Sequence, residues 1–340
     1  MAQADQRLRP ESSPDPFGER PSRLYHDQAR LLGGLFEFES SSRALLRLVK
    51  AAYAGLPRHR LPGRAPRFRI RLQLGRDDAT DPSAMPPATL LQGGAGLLTV
   101  VMNAANFAVV CPAARAGLVA ISRSMLRFPQ QVRYELLEFA VFALAHRGQR
   151  LVSLHAACVG WRRRGLLLIG ESGAGKSVLS LHCALHGLDF LTEDATFVEP
   201  EAMLATGVSN FLHVKADSLH FLDDAATLSR IRRSPVIRRR SGVEKFEIDM
   251  RRFCRPPAQT PLTLGGVVFM SKAPAGGGSL LRTVQRREFL TRLESSQAYA
   301  ATQPNWKAFV TRLSTLPALE LRRGVHPRDG VDALRGLLGP

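Results

Sequence analysis

Eight consecutive residues between 170 and 177 have the types and spacing of a loop that wraps phosphate groups. Glycines let successive backbone N–H groups approach an anion, because no Cβ atom stands in the way. A lysine then offers a compact positive charge to the β- and γ-phosphates, and a serine hydroxyl can bind Mg²⁺. The pattern G-x-x-x-x-G-K-[ST] is matched in full by Gly170, Glu171, Ser172, Gly173, Ala174, Gly175, Lys176 and Ser177. We therefore expect a nucleotide such as ATP at this loop.

The flanking sequence predicts the structure that such a loop requires. Residues 165–169 form a short apolar run, typical of a buried parallel strand. Residues 177–186 are apolar roughly on one helical face, and the pattern stops at Gly187. A strand, a glycine loop and a helix in this order bring phosphates to the free N–H groups and positive dipole end of the helix. A chance glycine turn is the alternative, and the agreement of motif and flanks argues against it.

Two adjacent acids follow the loop. Glu193 lies 16 residues after Ser177 and is followed by Asp194, at the end of an apolar segment. One carboxylate there could hold Mg²⁺, directly or through water, and the other could take the proton from an attacking hydroxyl. An ordinary acidic turn or helix cap is the alternative, but the spacing favours a functional pair.

Composition narrows the class of protein. The chain has 340 residues, of which 45% are hydrophobic, enough for a substantial core. It lacks the run of about 18 apolar residues that a membrane span needs, so we expect no membrane partner. The first 30 residues are polar and rich in Pro and Arg, unlike a secretory signal. Four cysteines without C-x-x-C spacing argue against a zinc site or a disulfide framework, and predict a cytoplasmic protein.

The formal net charge of +18 has two explanations. A basic surface can attract an acidic peptide or nucleic acid, or arginine can simply be a frequent residue on solvated faces. The scattered arginines and the lack of an aromatic-interleaved basic motif favour the second explanation and argue against nucleic acid as a partner. One local cluster contains Arg230, Arg232, Arg233, Arg238, Arg239 and Arg240.

The chain divides into three parts. Residues 1–25 lack periodicity and are predicted to be a largely disordered arm. Residues 26–150 are predicted to form a small α+β region, with a polar loop at 77–87 and a helix from Pro129 to Gly148. Its other predicted elements are a helix at 40–54 and strands at 67–74, 97–101, 107–110 and 118–122.

Residues 151–340 are predicted to form the domain that contains the phosphate loop. Asp329 is expected to cap the last helix. Strands are predicted at 152–159, 166–169, 190–191, 195–198, 267–270 and 319–322, a glycine-rich loop at 273–279, and helices at 286–299, 305–315 and 329–338.

Three stretches of this part resemble the HPr kinase/phosphorylase family. They are residues 154–159 (Leu-His-Ala-Ala-Cys-Val), the strand and phosphate loop at 166–177, and residues 187–194 (Gly-Leu-Asp-Phe-Leu-Thr-Glu-Asp). The chain looks most like the HPr-kinase-related proteins found beside ribosomal-peptide biosynthesis genes, including lasso-peptide kinases. The resemblance is specific from about 150 to 200 and looser to the C-terminus.

The resemblance implies an ATP- and Mg²⁺-dependent kinase that phosphorylates a serine hydroxyl of a peptide or small protein. The fold implied is α/β, a P-loop catalytic domain like those of HPr kinase and phosphoenolpyruvate carboxykinase, with a smaller N-terminal α+β region. It places His155 near the phosphates, Glu193 as the base and Asp194 at the metal. Glu193 stands where the family has aspartate, and Val178 stands where the HPr enzymes have an acid. Both departures favour a substrate other than HPr.

Other candidate site residues have weaker support in the sequence. Lys245 follows the arginine cluster and resembles a basic position offered to the transferring phosphate, although a solvated basic loop explains it equally well. Physical grounds do not select one of Arg238, Arg239 and Arg240. His182 and His186 have the i, i+4 spacing of a metal pair, but an amphipathic helix explains them better because no third ligand has suitable spacing.

Three classes of function remain in view. The first is the serine kinase, which Glu193, Asp194 and His155 favour. The second is a P-loop ATPase or switch with water as acceptor, and the third is a nucleotide-binding regulator, for example of nucleic acid. An HPr-type phosphocarrier kinase stays open as a variant of the first. A homo-oligomer is also open, because HPr enzymes form hexamers.

Replacing the loop lysine tests the motif directly. We expect Lys176→Ala to abolish turnover and greatly weaken ATP binding while the protein stays folded, because Lys176 is the only side-chain cation within the loop. Calorimetry with ATP and a thermal unfolding curve measure the two effects. An unaltered ATP affinity would refute the assignment of the phosphate loop.

Overall fold

A computed structural model describes residues 23–75, 85–253 and 257–339. The predicted arm at 1–25 lies outside these ranges except for its last three residues, and so does most of the predicted loop at 77–87. Within the described residues, no helix has the length and apolar character needed to cross a membrane.

The strands and helices are as follows. The strands are β1 (Tyr25–Leu31), β2 (Gly34–Ser40), β3 (Arg67–Leu74), β4 (Leu90–Gly94), β5 (Leu97–Asn103), β6 (Asn106–Cys111), β7 (Ala116–Ile121), β8 (Val152–His155), β9 (Ala157–Trp161), β10 (Arg164–Ile169), β11 (Asp189–Thr192), β12 (Ala195–Glu199), β13 (Leu204–Gly207), β14 (Phe211–Val214), β15 (Val236–Arg238), β16 (Glu244–Asp249), β17 (Leu262–Pro274), β18 (Leu281–Thr283) and β19 (Ala318–Arg323). The α-helices are α1 (Arg43–Tyr53), α2 (Pro129–Gln131), α3 (Glu138–Gln149), α4 (Lys176–Leu185), α5 (Ala225–Arg232), α6 (Met250–Phe253), α7 (Arg286–Ser296), α8 (Ala298–Ala301), α9 (Trp306–Leu313) and α10 (Pro327–Leu338). A π-helical turn, Val132–Leu137, joins α2 to α3, and 3₁₀ turns cover Ser124–Arg127 and Ala216–Phe221.

A seven-stranded sheet occupies the first third of the chain, in the order β1-β2-β3-β7-β6-β5-β4. The predicted strand at 67–74 is confirmed as β3, whose exposed and buried residues alternate because only one face packs on the core. The strands β1 and β2 were not predicted. The alternation of Phe36 and Phe38 with Glu37 and Glu39 was a usable signal, since both phenylalanines are fully buried.

The predicted helix after Pro129 is confirmed, because α2, the π-helical turn and α3 follow one another without a break and form one continuous helical segment. Six of its apolar residues are fully buried against the core: Val132, Leu136, Leu137, Ala140, Val141 and Leu144. The helix does not end at Gly148 as predicted, but one residue later, before the left-handed Arg150 (φ 55°). Gly148 serves close packing instead, because a Cβ there would lie 2.5 Å from the ring of Phe68.

A second sheet follows from Val152, in the order β11-β9-β10-β17-β13-β12-β8, and β19 pairs with β17 and with β18. The central strands β10, β17 and β19 run parallel, which explains the unbroken apolar runs of this region. Helices α4 and α10 pack on one face, and α7 and α9 pack on the other. This arrangement confirms an α/β fold.

A small third sheet, β14-β16-β15, was not predicted. It packs through Leu212 and Ile248 against Leu181 and Ala184 of α4, on the flank of the helix that follows the glycine loop. Its strands have only three to six residues, too short for a clear periodic signal.

The predicted cap of the last helix was wrong. The N-cap of α10 is His326, whose side chain accepts a hydrogen bond from the backbone N–H of Arg328. Asp329 lies three residues further on, and its carboxylate accepts from the backbone N–H of His326 at 3.0 Å. The acid therefore completes a capping box from inside the first turn.

The two large sheets share a core through Phe197 of β12. Its ring is 1% exposed, belongs to the core of the first sheet and meets Phe142 of α3 edge to face at 5.0 Å. We expect Phe197→Ala to lower the free energy of unfolding by about 3–5 kcal/mol, the usual loss for such a cavity. Urea unfolding measures it. Val325→Ala, at a residue 95% exposed, is the control and should change the value by less than about 0.5 kcal/mol.

Candidate functional site

The glycine loop lies between β10 and α4, as the sequence predicts. Its backbone turns through the left-handed region at Gly173 (φ 81°) and Gly175 (φ 96°), where residues with a Cβ are strained. Gly175 is the N-cap of α4, so the first N–H groups of this ten-residue helix face the loop. The loop thus has the geometry that phosphate binding requires.

Lys176 folds back over the loop. Its Nζ atom donates to the carbonyl of Gly170 at 2.5 Å and to that of Glu171 at 3.4 Å. Burial lowers the pKa of Lys176, and the nearby Asp194 and Glu193 carboxylates oppose that shift only in part. The ammonium group is therefore poorly compensated by the protein and is suited to an anionic ligand.

The hydroxyl of Ser177 binds the first of the two predicted acids. It donates to Glu193 Oε1 at 2.6 Å. Glu193 Oε2 accepts from the backbone N–H of His213 at 2.9 Å and lies 2.8 Å from its Nδ1 atom. Both carboxylate oxygens are occupied, and the side chain is only 11% exposed.

The second acid faces solvent. Asp194 Oδ1 lies 3.2 Å from Nδ1 of His155, and the two side chains are 62% and 59% exposed. The pair forms where β8 ends opposite the start of β12. The buried Gln297 fixes the backbone of His155, accepting from its N–H at 2.8 Å and donating to its carbonyl at 3.2 Å. An exposed imidazole–carboxylate pair results, on a backbone that Gln297 holds by hydrogen bonds.

One cavity of about 770 Å³ brings the predicted residues together. Its wall includes His155, residues 171–177, Glu193, Asp194 and Lys245. Gly170 adjoins this wall through its carbonyl, which Lys176 contacts. Further basic residues of the wall are Lys215, Arg239, Lys272, Arg322 and Arg323.

The structure also separates the three consecutive arginines. Arg239 lines the cavity, while Arg240 pairs with Glu135 at 2.5 Å. Arg238 is exposed at the end of β15. The conformation of the hairpin between β15 and β16 decides which arginine faces the cavity, so the sequence offered no signal for it.

The histidine pair on α4 is not part of a metal-binding group among the described residues. The rings of His182, which is buried, and His186, which is half-buried, stack at 6.1 Å on α4. Within the described ranges, the only three potential ligands that lie close enough together to hold a metal ion are His26 of the edge strand β1 and Glu37 and Glu39 of its neighbour β2.

Sequence reasoning missed His213, Tyr134 and Glu247. His213 Nε2 lies 2.6 Å from the hydroxyl of Tyr134, which donates to Glu247 Oε2 at 2.6 Å. These residues come from β14, the π-helical turn and β16, and no shared motif or spacing marks them in the sequence.

Comparison with known proteins gives little beyond this geometry. No protein-family model matches the chain, and no curated protein matches it. A solved structure that it is similar to is the HPr(Ser) kinase/phosphatase from Coxiella burnetii, with 13% identity over 54% of this chain and 94% of that chain, at a TM-score of 0.27. The likeness is distant, so the function of the chain has to be argued from its own residues.

The contacts of Glu193 predict how stability depends on pH. Burial raises the pKa of Glu193, but hydrogen bonds from His213 and Ser177 lower it by more than burial raises it. The net pKa therefore lies below its ordinary value. The stabilisation is present above the unfolded pKa of about 4.3 and is lost as pH falls through the lower folded pKa. We expect the free energy of unfolding of Glu193→Gln to fall less steeply with decreasing pH than that of wild type. Urea unfolding at several pH values measures it. The exposed Glu201→Gln is the control, and equal slopes in wild type and Glu193→Gln would contradict the prediction.

Proposed function

We propose that the protein is an ATP- and Mg²⁺-dependent kinase that transfers the γ-phosphoryl group to a serine hydroxyl of a peptide or small protein. One observation supports this above all. The Ser177–Glu193 hydrogen bond at the glycine loop and the His155–Asp194 pair line the same cavity. A phosphate loop, a metal-binding acid and an acceptor-facing acid are the parts that phosphoryl transfer needs.

The residues fit a magnesium ion. The Ser177 hydroxyl and the Glu193 carboxylate are hard oxygen donors 2.6 Å apart, and both lie at the end of the loop that would hold the phosphates. When bound, Mg²⁺ neutralises charge on the β- and γ-phosphates. We propose Ser177 and Glu193 as the residues that hold it. This differs from the resemblance, which placed Asp194 at the metal.

Asp194 is the better candidate for the base. A base must be within reach of the acceptor hydroxyl. Asp194 is 62% exposed, whereas Glu193 is only 11% exposed and is held between Ser177 and His213. We propose that Asp194 takes the acceptor proton while the serine oxygen bonds to the γ-phosphorus and the bond to the β-phosphate oxygen breaks, releasing ADP. His155 orients the Asp194 carboxylate through their contact at 3.2 Å.

Cations around the cavity would stabilise the charge that spreads over the transferred group. Lys176 belongs to the loop itself, and Lys245 and Arg239 come from the β15–β16 hairpin. Lys272 is less available because it pairs with Glu171 at 2.8 Å. We therefore propose Lys176, Lys245 and Arg239 as the phosphate-contacting cations.

The family and the acceptor class come from the resemblance alone. It supports residues 151–340 as an HPr-kinase-like P-loop catalytic domain, residues 26–150 as an N-terminal region, and a ribosomal-peptide precursor of lasso type as the acceptor. An HPr-type phosphocarrier and water are the competing acceptors. A list of the neighbouring genes would show whether a precursor peptide is encoded beside this chain.

Intact-mass measurement distinguishes these acceptors. The protein is incubated with ATP, Mg²⁺ and either the precursor peptide or an HPr-type phosphocarrier protein, with Lys176→Ala as the blank. A gain of one phosphate on the peptide supports the proposal, and a gain on the carrier supports an HPr-type kinase. Phosphate release without a modified acceptor supports an ATPase, and no turnover of ATP at all would overturn the proposal.

Two isosteric variants test the roles of the acids. We expect Asp194→Asn to bind Mg²⁺·ATP nearly as wild type but to transfer phosphate about 10²–10⁴-fold more slowly, the usual span for a general base. A loose transition state would place the loss near the lower end. Glu193→Gln should instead raise the Mg²⁺ concentration needed for binding. Single-turnover transfer and calorimetry measure both, and Asp217→Asn, another cavity-lining acid, is the control. The opposite pattern would restore Glu193 as the base.

A further inference from the structure

The Glu193 carboxylate is held from the side away from the loop by one buried residue. His213 is 6% exposed and reaches Glu193 Oε2 with both its backbone N–H and its Nδ1 atom. A glutamate side chain has several rotatable bonds, and its oxygens can leave a site unless partners fix them. His213 is therefore placed to decide where Glu193 stands relative to Ser177.

His213 is itself held by a group of polar residues, Tyr134, Glu247 and Arg133. The Tyr134 hydroxyl gives its proton to Glu247, so its oxygen is left to accept from Nε2 of His213. Glu247 is 5% exposed and is paired with the guanidinium of Arg133. The ring nitrogens of His213 thus both donate, one to each side, and the imidazole cannot rotate without breaking a bond at either end.

Two members of this group come from the N-terminal region. Arg133 and Tyr134 lie in the π-helical turn Val132–Leu137, a rare geometry that shifts side chains out of the regular helical positions and is frequent at functional sites. The same turn contacts the basic hairpin. The Tyr134 ring lies 5.5 Å from the guanidinium of Arg239, and Glu135 pairs with Arg240. One turn therefore contacts the site at two places.

We propose that His213 is a positioning residue that fixes Glu193 for Mg²⁺, and that Tyr134 and Glu247 hold His213 so that the π-helical turn of the N-terminal region forms part of the phosphate site. The proposal rests on the proposed function. It assigns no contact with substrate to His213. The Mg²⁺ concentration needed for binding therefore depends on His213, Tyr134 and Glu247, whereas the affinity of the loop for phosphate does not.

Two substitutions of His213 separate its two bonds. The amide nitrogen of asparagine can replace Nδ1 and keep the donor to Glu193, whereas that of glutamine replaces Nε2 and loses it. We expect His213→Gln to raise the half-saturating Mg²⁺ concentration for binding of a non-hydrolysable ATP analogue by about 10–100-fold, the usual loss for such an outer partner. His213→Asn should recover a large part of this loss. Affinity for the analogue in EDTA should change little in either variant.

His59→Gln is the matched control. His59 is also a buried histidine with two hydrogen bonds, to Thr206 Oγ1 and to the carbonyl of Ala258, both at 2.8 Å, and it does not line the cavity. A general loss of packing would affect the two histidine variants alike. We expect no change in the Mg²⁺ requirement of His59→Gln.

Tyr134→Phe keeps the proposal testable if the His213 variants do not fold. It removes one hydroxyl and should raise the Mg²⁺ requirement with unchanged affinity in EDTA. A wild-type protein that binds no nucleotide would overturn the proposed function and this inference with it. Two other results would overturn the inference alone, provided that the wild-type protein binds the analogue in a Mg²⁺-dependent manner. In the first, His213→Gln or Tyr134→Phe has the same Mg²⁺ requirement as wild type. In the second, His59→Gln raises the Mg²⁺ requirement as much as His213→Gln does.

Discussion

A buried carboxylate has to be paired, and the pairing of Glu193 connects the parts of this site. Its two oxygens join Ser177 of the glycine loop to His213 of the small third sheet. Leaving such a group unpaired in a low-dielectric environment costs several kcal/mol. The loop, the turn before β12 and the strand β14 must therefore come together for the fold to be stable, and the same requirement places an acid beside the loop serine.

The site extends well beyond the segment that contains the motif. Tyr134 and Glu247 stand 113 residues apart, yet they share a hydrogen bond behind Glu193. Phe197 belongs to the core of the first sheet although it lies on a strand of the second. Polar and apolar contacts therefore both join the N-terminal region to the part of the chain that contains the glycine loop.

The basic excess is used in two ways. Many arginines lie in ion pairs outside the cavity, as Arg282 does with Glu288 and Glu320, or as Arg69 does with Glu39 from a side chain that is 66% exposed. Exposed pairs of this kind contribute little to stability and attract no particular ligand. A smaller set, which includes Lys176, Lys245 and Arg239, lines the cavity beside the glycine loop. Under the proposed function, this second set is the one that acts on the nucleotide.

The sequence by itself determined the elements whose signals are local. The phosphate loop between β10 and α4, the alternating strand β3 and the helix after Pro129 follow from spacing and periodicity, because short-range geometry decides them. Only the tertiary structure decided which acid meets Ser177, which arginine of the hairpin faces the cavity, and that His213 stands behind Glu193. Those contacts join residues far apart in the chain, and the packing of three sheets, not any local pattern, brings them within bonding distance.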